Sequence, residues 1–447
     1  MTVIQKAFPV DSRRADVLRS SEIVKVIPEV SQVASGFLHI YSPIPEVAVT
    51  INENADPTVR SDMAAAFSRI VPDSLSGASF ARASFVGREV VIPVSSGRLV
   101  LGTWQGLHIA DERRGKGVSK RTGGESLVAT LVGSGGGGAE TFAYQAKTRG
   151  CHLVTSPVLS AAEKTTKKGS EGKDSTGFLL AFAQHTSCSM TINENADPDV
   201  RTDMETALNL IVPEAWNQEF FQHTYEGPDD MPAHVKSTLF GAGLLIPCRN
   251  GRPLFGTWQG IYLNEHRDAG GWGGGHNRKI SVSRVPSPPS DSGMVSVQKS
   301  LTVSPPGRGC HVITPDVVAA VGDELSKVES GLLNVFIRHT SASLTVHPGS
   351  AESTKHLETA LSSAVPDSWT YKHFKHTEEG PEDMPGHVKS SILGASLTVP
   401  VSEGKICLGK DEVAGPLEIL LCEHRSAGGW GGGGERTVVI TLVGKGV

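Results

Sequence analysis

The chain has 447 residues, 38% hydrophobic and 20% charged, with a formal net charge of −5. That length allows about three domains, each large enough for its own core, and the balance is that of a soluble globular protein. The slightly acidic charge gives no footprint for nucleic acid or an anionic membrane, and no apolar run approaches the roughly 18 residues of a spanning helix.

In chain order, Met1 to Arg14 lacks an apolar core, so no secretory signal is expected. Thr50 to Pro57 reads TINENADP, and GTWQG follows at Gly102 to Gly106. The Gly/Ser-rich stretch Gly133 to Gly138 reads as a flexible linker. Cys151-His152 then opens a first strand, with the histidine structural. Phe178 to Gln184 and Cys188 to Ile192 read as buried strands. TINENADP returns at Thr191 to Pro198, where Asp197 caps a helix and Pro198 opens it. Val200, Met204, Leu208 and Ile211 give that helix one apolar face, and Pro213 ends it. Glu226 to Met231 is turn chemistry, followed by a short helix over Pro232 to Phe240 that stops at Gly241. Leu244 to Pro247, Leu254 to Glu265 (with GTWQG again) and Lys279 to Ser283 read as strands. The glycine runs Gly270 to Gly275 and Gly428 to Gly434 lack a strand–turn–helix context and read as mobile hairpin loops, not nucleotide fingerprints.

Val285 to Gly293 is a Pro/Ser-rich linker. Beyond it the pattern repeats with Cys310-His311, EGPEDMPGHVKS at Glu379 to Ser390, and Glu423-His424-Arg425. The chain is therefore read as three copies, at 1–134, 143–284 and 295–447. Each is expected to be an α+β unit: a β-sandwich with two flanking helices. The six cysteines never form a CxxC pair, which argues against a disulfide framework or a thiolate zinc site. Reduced thiols in a cytoplasmic protein are expected.

The joint pattern HTS…NENADPDVR…EGPDDMPAHVKS…GTWQG…EHR resembles the YjbQ-like family, also called secondary thiamine-phosphate synthase. The match covers the whole second copy, most of the third and parts of the first. The resemblance implies a trimer-forming domain, here fused into a monomeric pseudo-trimer. It also implies an activity joining a pyrimidine diphosphate to a thiazole phosphate with release of pyrophosphate. A phosphorylated small molecule is the implied partner, with neither nucleic acid nor membrane.

The candidate site of copy two gathers His185, His223, His234 and His266 with Glu226, Asp229, Asp230, Lys236 and Arg267, and the histidines recur in copy three as His339, His376, His387 and His424. Four imidazoles suffice for a divalent metal such as zinc, manganese, iron, nickel or magnesium. They equally suit phosphate binding or proton transfer, and each alone could be a capping or surface histidine. Lys236, Lys389, Arg267 and Arg425 are candidates to neutralise phosphate, with a solvated lysine as the bland alternative. Glu53 and Glu194 would accept a proton, and Asn52 and Asn193 would donate fixed hydrogen bonds. Asn54, Asn195, Gln105, Gln259, Ser187, Ser341, Glu226 and Glu379 are candidate substrate contacts. Trp104 and Trp258 would stack on a heteroaromatic ring or sit in the core.

The copies differ in what they keep. Copy one retains NENADP and TWQG but has Ile44 and Glu112 where His185 and His266 align. Copy three retains the histidines but reads TVHPGSAEST and KDEVAGP in place of the other two motifs. In a ring of three, each interface joins the same two patches. Pairing each His set with the NENADP/TWQG face of the preceding copy gives two whole sites and one dead interface. Pairing with the following copy, or within a copy, leaves only one whole site. The reading therefore favours the preceding copy. Three functions remain: an enzyme on a phosphorylated molecule, a non-catalytic metal- or anion-binding module, and a metal-dependent phosphate-ester hydrolase.

Overall fold

The structure is a computed structural model describing residues 1–9, 17–113, 126–134, 137–165, 175–268, 277–288, 292–412, 414–426 and 434–447. The glycine runs, apart from Gly434, lie outside the described residues.

Copy two displays the plan. The apolar strand Thr176–Ala183 is buried almost throughout, so it takes the centre of a sheet. Gly243–Arg249 and Asn277–Pro286 flank it, with Arg252–Pro253 and Glu140–Gln145 at the edges. A second antiparallel sheet runs Gly150–Leu153, Gln259–Glu265, Cys188–Glu194. The helix Pro198–Ile211 starts where the capping chemistry places it: the Asp197 carboxylate accepts from the Asp199 N–H at 2.8 Å. Its face of Val200, Met204, Leu208 and Ile211 is buried. The second helix, Asp230–Phe240, ends at Gly241 in a positive-φ conformation (82°).

Three local readings need correction. The helix Thr155–Lys164 was not anticipated; its burial rests mainly on Val158, Ala161 and Ala162, too few apolar residues to give a strong periodic signal. The expected strand Leu254–Glu265 is interrupted between Pro253 and Gln259, because the GTW segment leaves the sheet to meet the next copy. Both linkers are shorter than they read, since strands Ser126–Ser134 and Asn277–Pro286 run into them.

Copies one and three repeat both sheets, and the three copies close into a ring. Phe37, Phe178 and Leu332 from the central strands of the three large sheets share one apolar cluster with Val132, Val285 and Val443. A second core joins the helices Ala78–Val86, Asp230–Phe240 and Asp383–Leu393, one from each copy. These three are called axial helices below. Burying each such large side chain contributes about 1.5–3 kcal/mol, so the ring is held by the same force as a single core. At every interface a glycine allows backbone contact with the neighbour. A Cβ at Gly102 would strike the Gln184 carbonyl, at Gly256 the Arg338 carbonyl, and at Gly409 the Pro43 carbonyl. Tyr41 also donates to the Leu408 carbonyl at 3.0 Å, tying copy one to copy three.

Candidate functional site between consecutive copies

Strand Val47–Glu53 of copy one ends against the axial helix of copy two. Asn52 is fully buried there. Its side-chain amide donates to the His234 carbonyl at 2.9 Å and to the Thr238 hydroxyl at 2.8 Å. Its carbonyl oxygen accepts from the Glu53 N–H at 2.8 Å, which fixes the orientation of the amide. The same oxygen lies 2.8 Å from His234 Nδ1, so that nitrogen must be the protonated one. His234 therefore presents Nε2, 3.2 Å from Glu53 and 3.5 Å from Asp230. His223 is held likewise. Its Nδ1 donates to Asp56 at 2.9 Å and its Nε2 lies 2.8 Å from Asp230. Asp62 of copy one anchors the segment by accepting the N–H groups of Gln222 and His223 at 2.7 and 2.8 Å. Two imidazole Nε2 atoms thus converge on Glu53 and Asp230. Ligand atoms of Glu53, His223 and His234 all lie within 4.8 Å of one another.

Charge explains the titration of the group. Burial alone would disfavour the charged form of His234, but its hydrogen bonds to the Asp230 and Glu53 carboxylates outweigh it and raise its pKa to about 9. Burial likewise opposes ionisation of Asp230, yet bonds from His223 and His234 hold its carboxyl well below the usual range. Arg267 completes the pair with the other Asp230 oxygen. Glu226 is pushed up, by burial first and then by the negative Asp230 and Glu53.

The second site repeats the first with copies two and three. Asn193 donates to the His387 carbonyl at 2.8 Å and lies 2.8 Å from its Nδ1. His387 Nε2 is 3.4 Å from Glu194 and 3.5 Å from Asp383. His376 spans Asp197 at 2.6 Å and Asp383 at 2.7 Å. The Asp383 bond, ahead of the opposing burial, raises its pKa to about 9. Arg425 lies 2.5 Å from Asp383 and 3.1 Å from Glu379.

The interface between copies three and one has neither half. Phe80 stands seven residues before the glycine cap of its axial helix, where His234 and His387 stand. Its ring centroid is 6.4 Å from that of His347. His347 takes the sixth place of strand Ala342–Pro348, as Asn52 and Asn193 do in theirs. Burial pushes its pKa down to about 3, and Ser84 contacts its Nδ1 at 3.0 Å.

A cleft of about 640 Å³ opens beside the first site, lined by Glu53, Asp56, Trp104, Tyr225, Glu226 and Asp230 among others. His185, Ser187, His234, Arg267 and Arg278 also reach it. Trp104 is 62% and Trp258 58% exposed, so neither is a core residue. His185 is half-buried, 3.2 Å from Arg278, and burial lowers its pKa to about 4. His339 is lowered to about 3 for the same reason, and its Nδ1 accepts from the Ser341 N–H at 3.2 Å.

Several candidates do not join the clusters. Lys236 and Lys389 are fully buried. Lys236 donates to Asn209 at 2.6 Å and Lys389 to Asp367 at 3.4 Å. Ser237 bonds the Thr186 carbonyl at 2.6 Å. His266 and His424 are sealed in the core against Ser189 and Ser343, at 2.9 and 2.8 Å. Gln105 spans the Ala183 and His185 carbonyls at 2.9 Å each, and Gln259 the Ile337 and His339 carbonyls at 3.0 and 2.9 Å. Asn54 and Asn195 bond the carbonyls of those glutamines at 2.8 and 2.9 Å. These four residues bind the neighbouring copy or brace their own strand ends. Among the partners the sequence reading passed over are Asp56, Asp62, Tyr225 and Arg278. The spacing Asp230-to-His234, four residues on a helix, was the available signal for a carboxylate–imidazole pair on one face.

Among the described residues, no helix is long and apolar enough to cross a membrane. The family described as "UPF0047 protein YjbQ-like" matches residues 7–124, 140–286 and 299–445. The UPF0047 protein YjbQ of Escherichia coli O157:H7 is 45% identical over 132 residues, 30% of this chain and 89% of that protein. A UPF0047 protein of Synechocystis is 49% identical over 107 residues, 24% of this chain and 68% of its own. A solved YbjQ-like protein of unknown function from Sulfolobus solfataricus aligns with TM-score 0.28 at 20% identity, covering 34% of this chain and 99% of its own. With all three copies matched in order, the chain belongs to the UPF0047 YjbQ-like family.

Proposed function

We propose that each of the two composite clusters holds a divalent cation and serves an enzyme acting on a phosphorylated small molecule. The observation that carries this reading is tautomer control. Asp56 and Asn52 accept from Nδ1 of His223 and His234, which turns both Nε2 atoms toward one carboxylate pair, where a cation would take the place of the Nε2 protons. An outer partner fixing the far nitrogen is the usual arrangement for metal-binding imidazoles. His223, His234, Glu53 and Asp230 would hold the ion, and His376, His387, Glu194 and Asp383 their counterpart. Two imidazoles favour zinc, manganese or iron over magnesium. When bound, the cation supplies positive charge and Lewis acidity toward a phosphate.

The lining of the cleft supports the same reading. Four carboxylates, Glu53, Asp56, Glu226 and Asp230, face two arginines, and those arginines already pair with Asp230 and Glu265. Lys236 is turned away. Phosphate without a cation would meet net negative charge. Glu226, with its raised pKa, suits proton transfer, and exposed Trp104 offers a face for a flat ring. That last feature suits the pyrimidine and thiazole of a thiamine-phosphate-forming reaction.

The test is phosphate and pyrophosphate release in the presence of zinc or manganese, from a pyrimidine diphosphate with and without thiazole phosphate. Turnover is expected to fall at least about 100-fold in the His234→Ala, His387→Ala double variant. Release that requires the acceptor identifies the synthase, and release without it the hydrolase. Cation uptake with no turnover of either kind would reduce the function to binding.

A further inference from the structure

The two sites share their histidines, asparagine, glutamate, aspartates and arginine, but differ beside the outer carboxylate: Thr58 donates both its N–H and its hydroxyl to Asp56, at 2.8 and 2.7 Å, where Asp197 takes only the Asp199 N–H from its own helix. Two residues after His223 stands Tyr225; two residues after His376 stands Glu378. The Tyr225 hydroxyl donates to Asp56 Oδ2 at 2.7 Å, the same oxygen that accepts His223 Nδ1 at 2.9 Å. Its ring packs edge-on to His223, with centroids 5.0 Å apart. In the second site, the corresponding Asp197 Oδ2 accepts His376 Nδ1 at the shorter 2.6 Å. Tyr225 also covers its carboxylate: the Asp56 side chain is 14% exposed against 36% for Asp197.

We infer that the two sites are functionally unequal, with the site between copies two and three binding its cation more tightly than the site between copies one and two. This rests on the metal reading above. A carboxylate that orients a ligand imidazole raises the donor strength of the far nitrogen. At the first site the phenol takes part of that carboxylate's charge, so His223 Nε2 is the weaker donor. At the second site no phenol shares the carboxylate, and the shorter bond leaves His376 the stronger donor. Tyr225 in turn places a second aromatic side chain in the cleft beside Trp104. The first site thereby becomes the better host for a flat ring and the second for the cation.

Zinc titration of the whole chain against a chromophoric chelator tests this. Two classes of site are expected, differing about ten-fold in Kd. With His387→Ala leaving only the first site, Tyr225→Glu is expected to tighten binding several-fold. With His234→Ala leaving only the second, Glu378→Tyr is expected to weaken it by a similar factor. Positions 225 and 378 are exposed, so neither exchange threatens the fold. Two zinc ions bound with one affinity, or exchanges that leave Kd unmoved, would overturn the inference while sparing the metal reading. No zinc uptake by the unmodified chain would overturn both.

Discussion

Replacing Asp230 with alanine is expected to cost about 3–5 kcal/mol of stability and to abolish the first site while the second persists. The carboxylate is 3% exposed and meets Arg267 on one oxygen and both His223 and His234 on the other. Without it, the buried Arg267 keeps Asp229 at 3.3 Å and the Glu226 carbonyl at 2.5 Å, and two imidazoles lose their shared acceptor. Breaking a buried ion pair by removing one partner is the costly case. Asp383→Ala should do the same at the second site, where Asp383 meets Arg425, His376 and His387. Denaturant unfolding of each variant reads the loss. A cost under about 1 kcal/mol would mean the network is not formed in solution.

Acid should destabilise the protein well before its carboxylates titrate. His266 and His424 are fully buried, and burial holds both pKa values well below the ordinary one. Below the unfolded value near 6.5, the unfolded chain takes up protons that the folded chain refuses. Stability then falls by about 1.4 kcal/mol per pH unit for each such histidine. The two act in the same direction, so their losses add as the pH falls below 6.5. His185 and His339, lowered to about 4 and about 3, add to the loss. His234 and His376, raised to about 9, act on the other flank. Their contribution is whole below pH 6.5 and is lost as pH rises through about 9. The denaturation midpoint should therefore fall on both sides of neutrality, and His266→Asn should shallow the acid limb. A midpoint flat from pH 6.5 to 4.5 would contradict the buried neutral histidines.

The differences among the three copies make the composite arrangement legible in the sequence. Asn52 and Glu53 survive in a copy that lacks the histidines, and the histidines survive in a copy that lacks the asparagine. Only pairing with the preceding copy leaves two complete sets, and that is how Asn52 meets His234 and Asn193 meets His387. Membership of the cluster was less legible. His234 and Lys236 are two residues apart on a helix, so they point to different faces, and one reaches the cleft while the other is buried behind it. His266 and Arg267 adjoin at a strand end, and alternation separates them in the same way. Asp197 was visible as a helix-capping residue, and that role is real; Asp56 accepts the Thr58 N–H in the same way in copy one. Their second oxygens, turned to His223 and His376, depend on the neighbouring copy. No local pattern in one copy encodes that contact.

The most direct measurement is metal stoichiometry by elemental analysis, on the intact chain and on His223→Ala, His376→Ala and Glu53→Ala. About two ions per chain are expected, with one lost in each variant, including the Glu53 change made in a copy that has no histidine set. No bound metal, even after incubation with zinc or manganese, would contradict the metal reading. A Glu53→Ala chain that keeps both ions would contradict the composite one.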